Sequence, residues 1–302
     1  MSFIAIALIL ASALLHATWN FLGKVQAVPS LHFYFYATFF SASVLTLLLL
    51  PVAFFLFEFS VLSLSHWHWV LLTGLFQTLY LFGLVKSYQQ LELSVAYPLV
   101  RALPILFVPL MSMVLFSDQT FSSLSWSGFI FIFIGTLLLV PMNSLFTTKL
   151  DSGLIWLVIA ALGTCGYSII DFEVQQLWLS ELRETQVSAP KWQISLLYTC
   201  ALNWATIIVM GTWILLTNQV SESTEIARPH IQQAYAGLMI TGSYLLVLIA
   251  MNYSDNISDV VAFRQISIPI GFILGVLLLK ESVSFFKLSG LMCVCVGLYL
   301  VA

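Results

Sequence analysis

Two arginines inside long apolar segments are the first candidates for chemistry in this sequence. Arg101 lies in the stretch from Ser94 to Phe116, and Arg264 lies in the stretch from Ile257 to Lys280. Each stretch is long enough to cross a bilayer as a helix. A charged side chain at the centre of a membrane helix costs about 2.5–3.5 kcal/mol, so it is a functional candidate by default. We interpret both arginines as residues that contact an anionic substrate or gate its path.

Aromatic and amide side chains inside other apolar segments are candidates for the wall of a binding cavity. In a bilayer a polar helix face must turn toward protein or water. The alternative is that such residues only join helices to each other, at about 0.6 kcal/mol per hydrogen-bonded pair. We predict Trp19, Tyr80, Tyr97, Tyr167 and Tyr244 as aromatic walls and Asn20, Gln77 and Asn203 as orienting polar groups.

His16 and Asp171 are the candidates for proton coupling. His16 is predicted near mid-membrane, and histidine exchanges a proton near neutral pH. Its alternative is a neutral, hydrogen-bonded packing role. Asp171 follows the polar stretch from Gly163 to Ser168, and its alternative is an anchor at the membrane interface, because the sequence places it at the end of its span.

Other chemistries are excluded by what the sequence lacks. The chain has no nucleotide-binding loop of the GxxxxGK[ST] type and no HExxH, GxSxG or CxxC motif, so we predict neither an enzyme nor a cofactor. We read the four cysteines as small apolar core residues and predict no metal site. No block of basic residues is present, which argues against nucleic-acid binding.

The composition is that of a membrane protein. Of the 302 residues 61% are hydrophobic and only 8% are charged, whereas a soluble domain is about a quarter charged. We predict an all-α membrane protein with ten transmembrane helices, with a sizeable polar connection near 174–192. The spans are roughly 3–23, 31–57, 67–88, 93–116, 124–142, 152–172, 192–216, 231–252, 257–280 and 284–302.

A repeat organises these spans. Arg101 and Arg264 are 163 residues apart, as are Asp118 and Glu281. Tyr80 and Tyr244 are 164 apart, and two glycine pairs (Gly128 with Gly290, Gly135 with Gly297) are 162 apart. We therefore predict two five-helix repeats, residues 1–150 and 151–302. Because five is odd, the second repeat enters the membrane from the opposite side, which is the inverted repeat typical of secondary transporters. With this inversion the two arginines are expected to bracket a central cavity from both ends, and spans one, three, four, six, eight and nine are expected to line it.

The chain resembles the drug/metabolite transporter superfamily, specifically its EamA-type ten-helix members. The likeness is carried by LLHATWNFLGK at 14–24, by SVAYPLVRALPILF in span four and by LLLKESVSFFKLSGLMCVCVGLYL at 277–300, with its counterpart at 115–139. The resemblance implies that each half is an EamA-like repeat and that the protein is an exporter or exchanger driven by a proton or substrate gradient. It also implies cytoplasmic termini, whereas the count of positive charges favours the reverse orientation, so both orientations stay open.

We therefore expect a secondary active transporter that moves a small polar metabolite by alternating access. Two central arginines and few central carboxylates favour an anionic or zwitterionic substrate. The alternatives are a cationic drug exporter, which requires a central Asp171 or Glu173, and a flippase for a lipid-linked substrate. We expect a multi-pass protein of the plasma (inner) membrane, as a monomer or homodimer, whose partners are its substrate and the lipid bilayer.

Overall fold

The computed structural model describes residues 2–23, 30–56, 66–91, 93–116, 121–140, 149–184, 190–217, 231–279 and 283–301. Within these ranges every regular element is helical. The helices are α1 Phe3–Gly23, α2 Leu31–Leu56, α3 Trp67–Gln90, α4 Leu93–Leu115, α5 Ser123–Leu138, α6 Lys149–Glu184, α7 Lys191–Leu216, α8 Ile231–Met251, α9 Ile257–Phe263, α10 Ser267–Leu279 and α11 Phe285–Val301. The eleven described α-helices form ten helical segments, the predicted number, because α9 and α10 are two parts of the ninth span.

Polarity is distributed in the opposite sense to that of a soluble protein. Large apolar side chains are exposed along the outer helix faces, including Leu47 (68%), Val114 (77%) and Leu216 (79%). Polar side chains such as Ser41 and Gln175 are completely buried between helices. Six described helices are long and apolar enough to cross a membrane, and three shorter ones are also apolar. This arrangement places apolar surface against lipid and polar groups inside the bundle.

The helices pack in crossed pairs between the two halves of the chain. Helices α3 and α6 pack together, as do α1 and α8. Helix α7 packs on α3 and α2, and α8 also packs on α2. Helix α4 lies against α6 and α5, α1 lies against α10, and α5 pairs with α11. The interior of the bundle is therefore built from both halves.

Glycines let the α5–α11 pair come into backbone contact. A Cβ on Gly135 would lie 2.7 Å from the carbonyl oxygen of Gly290, and a Cβ on Gly128 would lie 2.9 Å from that of Gly297. The later glycine of α5 meets the earlier glycine of α11, so the two helices run antiparallel. Small residues at such crossings let backbones approach and are the usual means of close packing in membrane helices.

Helix α6 is longer than the sequence indicated. The predicted polar connection near 174–192 is wrong over 174–184, because the helix continues to Glu184. Asp171, Gln175, Trp178 and Leu182 are buried along one face of this extension. Their spacing of four, three and four residues is that of an amphipathic helix. Asp171 consequently lies well inside α6 and not at the end of a span.

The ninth span is interrupted at its arginine. Helix α9 ends at Phe263, a 3-10 turn covers Arg264–Ile266, and α10 begins at Ser267. Pro269 explains the interruption, since proline has no N–H to bond the carbonyl four residues earlier, on Gln265. A 3-10 stretch inside a helix often marks a functional position.

Candidate substrate-binding cavity

A cavity lies between helices of both halves. Its volume, measured as the space open to the centre of a water molecule, is about 90 Å³. The described lining comes from α1, α2, α3, α6, α7, α8 and the 3-10 turn, and includes none of α4. Span four therefore stays a prediction as part of the lining, because the side chain of Tyr97 lies outside what the structure describes, and the lining helices α2 and α7 were missed. The polar and aromatic lining residues are His16, Tyr34, Thr38, Gln77, Tyr80, Tyr167, Thr199, Asn203, Thr206, Thr241, Ser243, Tyr244 and Arg264.

Three of the five predicted aromatic residues form one continuous wall of this cavity. The rings of Tyr80 and Tyr167 are 5.8 Å apart, and those of Tyr167 and Tyr244 are 5.5 Å apart, both edge to face. The guanidinium of Arg264 lies over the ring of Tyr244, 5.4 Å from its centre. The aromatic wall thus ends on a cation, and a cation over an aromatic face is stabilised by the ring quadrupole.

Arg101 lies beside the ninth span and close to the backbone of Arg264. Its Nη2 donates to Oγ of Ser267 at 3.3 Å, and the same hydroxyl donates to the carbonyl of Arg264 at 3.0 Å. The charges of both arginines act on the His16 ring. The expectation that the arginines bracket the cavity from opposite ends is therefore wrong. The crossing of α4 with the interrupted span brings the two arginines to the same part of the bundle.

The amide candidates lie on the cavity wall. Gln77 and Asn203 are both lining residues. Asn203 donates to Oγ1 of Thr241 at 3.4 Å, and Thr241 donates to Ser41 at 2.9 Å, so α7, α8 and α2 are joined at this level. This position of Asn203 is compatible with both predicted roles, which are to orient a ligand and to join helices by hydrogen bonds.

Asp171 lies behind the aromatic wall, where it accepts hydrogen bonds from three other helices. The Thr73 hydroxyl of α3 and the Tyr198 hydroxyl of α7 both donate to Oδ1, the latter at 2.7 Å. The Tyr244 hydroxyl of α8 donates to Oδ2. The side chain of Asp171 is completely buried. The alternative of an interfacial anchor is thus wrong, because the carboxyl group is an internal hub.

A second polar cluster lies one turn further along α6. The Ser195 hydroxyl donates to Oε1 of Gln175 at 2.7 Å, and Nδ2 of Asn252 donates to that hydroxyl oxygen at 2.8 Å. Lys191 donates to the Asn252 carbonyl at 2.5 Å and lies over the ring of Tyr253, 4.6 Å from its centre. The cluster joins the start of α7 to the ends of α6 and α8.

Several predicted residues lie outside what the structure describes. This holds for the side chains of Trp19, Asn20 and Tyr97, and for Asp118 and Glu281 entirely. Among the described residues, no group of three or more His, Cys, Asp or Glu side chains is placed to hold a metal ion.

Sequence reasoning missed Tyr198, which contacts Asp171, and Tyr34, which lines the cavity. For Tyr198 a signal was present. Ser195, Thr199, Asn203 and Thr206 recur at helical spacing, and Tyr198 lies on the same side of α7. Tyr34 is flanked by aromatic residues on both sides, so nothing in its neighbourhood distinguishes it.

Comparison with protein families finds a likeness in the first half of the chain. The model of the EamA-like transporter family matches residues 3–140. Over these residues, the first half of the chain is similar to that family. This confirms the resemblance to the drug/metabolite transporter superfamily, whose members are membrane transporters, and the protein is an integral multi-pass membrane protein.

The comparison with solved structures covers both halves. One crystal structure, described only as that of a protein, superposes with a TM-score of 0.68 at 15% identity, over 98% of this chain and 96% of the other. At that identity the likeness concerns the fold alone, and it places the whole chain, including the part beyond the EamA-like match, in one known fold. A comparison with curated proteins found no match.

Proposed function

We propose that this EamA-like protein is a secondary active transporter, an exporter or exchanger, for a small anionic or zwitterionic metabolite. It works by alternating access between two five-helix halves, residues 1–150 and 151–302, that have opposite orientations in the plasma membrane. The protein acts as a monomer or homodimer, with the substrate and the bilayer as its partners.

The observation that carries the substrate class is the position of Arg264. Its guanidinium is part of the cavity lining, at the end of a wall of three tyrosines, and no carboxylate is among the described lining residues. Arginine binds carboxylate and phosphate groups through paired N–H donors. Aromatic, hydroxyl and amide groups around it supply the remaining contacts of a small polar molecule.

The same geometry disfavours a cationic drug exporter. That function requires a carboxylate exposed to the cavity, and Asp171 is the central candidate. Its carboxyl oxygens already accept three hydroxyl donors, and the Tyr244 side chain stands between it and the cavity. A cation in the cavity would instead meet the positive charge of Arg264.

The pattern of helix packing supports two equivalent halves. An offset of about 163 residues relates α3 to α8, α4 to the interrupted span α9–α10, and α5 to α11. In the same order α1 corresponds to α6, at a smaller offset of 148 residues, and α2 corresponds to α7. Exchanging the halves turns the pair α1–α8 into α6–α3, α2–α8 into α7–α3, and α4–α6 into α10–α1. All of these pairs are packed together.

The α5–α11 pair supports their opposite orientation. Under the exchange this pair maps onto itself, and the contact of Gly128 with Gly297 maps onto that of Gly290 with Gly135. Equivalent helices that run antiparallel belong to halves of opposite direction across the membrane. An antiparallel, self-equivalent pair is what a two-fold axis in the membrane plane produces.

The proposal is tested with purified protein in two steps. A thermal-shift screen against anionic, zwitterionic and cationic metabolites first finds a ligand. Uptake of that ligand into proteoliposomes is then measured for the wild type and for Arg264→Gln and Arg101→Gln, with and without a pH gradient. The matched control is Arg183→Gln, which removes an exposed arginine near the end of α6, away from the cavity.

We expect stabilisation by anionic or zwitterionic compounds and a weaker apparent affinity for the Arg264 variant. A hydrogen bond to a charged group contributes about 1.5–3 kcal/mol, which corresponds to roughly 10- to 150-fold in affinity. The Arg183 variant should match the wild type. Stabilisation only by cations, or unchanged anion uptake in both central arginine variants, would refute the assignment.

A further inference from the structure

Asp171 joins the helices on one side of the cavity. Through its two carboxyl oxygens it binds Thr73 on α3, Tyr198 on α7 and Tyr244 on α8, while it belongs to α6 itself. Four helices, three of which also carry cavity-lining tyrosines, are thus held together at one level by a single carboxyl group. The proposed function does not use this group, since it lies outside the cavity.

Three hydroxyl donors suit an ionised carboxyl group. An ionised carboxylate only accepts hydrogen bonds, and it has room for all three hydroxyl donors. A protonated carboxyl group carries a donor of its own, and at least one surrounding hydroxyl must then turn to a different acceptor. Loss of a partner by a buried polar group costs about 1–3 kcal/mol. The ionised form therefore holds the four helices together, and the neutral form releases part of that connection.

The side of the bundle beyond the hub is closed. Trp178, Tyr198, Leu248 and Met251 are all completely buried there. The cluster of Gln175, Ser195, Asn252 and Lys191 ties α6, α7 and α8 together at the same end. Access to the cavity from this side requires α7 and α8 to separate from α6, and the Asp171 hub is the connection nearest to the cavity.

We propose that Asp171 is a proton-binding site that latches this side of the transporter, so that proton uptake by its carboxylate releases Tyr244 and permits α8 to move. This inference deepens the proposed function and rests on it, since it names the proton as the coupling ion. When the proton binds, it adds to one carboxylate oxygen of Asp171, and no other covalent bond is made or broken.

Tyr244 connects the latch with the substrate site. Its hydroxyl donates to Asp171 while its ring carries the guanidinium of Arg264, whose charge also acts on Asp171. The positive charge of Arg264 favours the ionised latch. An anion bound to Arg264 offsets that charge, so anion binding and proton binding favour each other. By linkage the effect is reciprocal.

Other ionisable groups surround the latch on the helices packed against α6. Helix α3 contributes the Thr73 hydroxyl and Tyr80, whose ring packs against Tyr167 of α6. His66, just before α3, lies 3.2 Å from the Glu181 carboxylate of α6. The groups on the remaining elements are Tyr198 on α7, Tyr244 on α8, Arg264 in the 3-10 turn, Arg101 on α4 and Asp259 on α9. Among them, the two tyrosines donate hydrogen bonds to Asp171, and Arg264 is the group whose charge acts on it. A pH effect that depends on Asp171 is therefore separable by substitution.

The test needs no substrate, so its failure is distinguishable from failure of the transport proposal. Met251→Cys is introduced into a variant whose four native cysteines are replaced by alanine, and its labelling by a water-soluble maleimide is measured against pH in nanodiscs. Thr217→Cys, at an exposed position just beyond α7, corrects for the reactivity of the thiol itself. Infrared difference spectra of the same samples detect the neutral carboxyl group.

We expect labelling of Met251→Cys, relative to Thr217→Cys, to rise about fivefold or more as the pH falls, at the low end of typical coupling. Asp171→Asn should abolish the pH dependence and the carboxyl band, whereas Asp259→Asn should keep both. Arg264→Gln removes the cation that favours the ionised Asp171. In this variant the pH at which labelling of Met251→Cys rises should therefore move upward.

A second variant keeps the test decisive if Asp171→Asn does not fold. Tyr244→Phe retains the ring and removes one donor to the carboxylate, so the ionised latch is weakened and the transition should also move to higher pH. Three results would overturn the proposal: pH-independent labelling of the wild type, a pH dependence that survives Asp171→Asn, or an unchanged transition in Tyr244→Phe.

Discussion

The antiparallel α5–α11 pair permits a stability prediction with a matched control. In Gly135→Ala the new Cβ would lie 2.7 Å from the Gly290 carbonyl oxygen and 2.7 Å from the Val294 nitrogen. Both atoms belong to the backbone, so no side chain can rotate away. Ordinary contact begins at about 3.4 Å, and the helices must therefore separate by about 0.7 Å. Overpacking of this kind costs about 1–3 kcal/mol.

Gly271→Ala in α10 is the control, because a Cβ at Gly271 has no atom within 4 Å. Both substitutions gain the same helix propensity, about 0.5–1 kcal/mol, so their difference isolates the contact. We expect Gly135→Ala to be less stable than Gly271→Ala by about 1–3 kcal/mol. The free energy of unfolding is measured by titrating sodium dodecyl sulfate into mixed micelles and following tryptophan fluorescence.

A double-mutant cycle refines the test. Gly290→Ala should be destabilising by a similar amount, since its Cβ would lie 2.7 Å from the Gly135 carbonyl oxygen. One separation of the helices relieves both contacts, so the double variant should cost less than the two single variants together. Equal stability of the Gly135 and Gly271 variants would refute the close backbone crossing, and full additivity would refute a shared contact.

Two further predictions concern buried polar contacts. Ser195→Ala removes the hydroxyl shared by Oε1 of Gln175 and Nδ2 of Asn252, which still contact each other at 3.3 Å. It should destabilise the protein by about 0.5–1.5 kcal/mol in the same unfolding titration, and a change below the error would contradict the cluster. The Ser12 and Ser243 hydroxyls, 3.0 Å apart, should show a coupling of about 0.6 kcal/mol in an alanine double-mutant cycle. A coupling of zero there would argue against their contact.

The helices and part of the cavity were predictable because lipid imposes a simple rule. A segment that crosses a bilayer must be apolar over about 20 residues, and this pattern is legible without knowledge of any partner. The aromatic residues Tyr80, Tyr167 and Tyr244 were predictable for a related reason, since polar-tipped residues on apolar helices face the interior. Their meeting in one wall follows from the helix pairing.

The extension of α6 and the role of Asp171 were not predicted, because average hydropathy hides a buried stripe. Residues 173–184 contain enough charged side chains to resemble a loop. Four residues nevertheless recur at helical spacing: Asp171, Gln175, Trp178 and Leu182. A test for helical periodicity would have indicated that the helix continues. The closeness of the two arginines had no such signal, since it depends on the crossing of α4 with the interrupted span.

The interruption at Arg264 also explains how a cation is tolerated there. A helix that ends inside the bundle presents carbonyl groups without N–H partners, and their aligned dipoles give that end a partial negative charge. Arg264 is the first residue after α9 and so lies at such an end, and Pro269 frees a further carbonyl on Gln265. The fixed backbone dipoles add to the negative charge of Asp171, which also acts on Arg264. The guanidinium keeps its own charge, and that charge is what a passing anion meets.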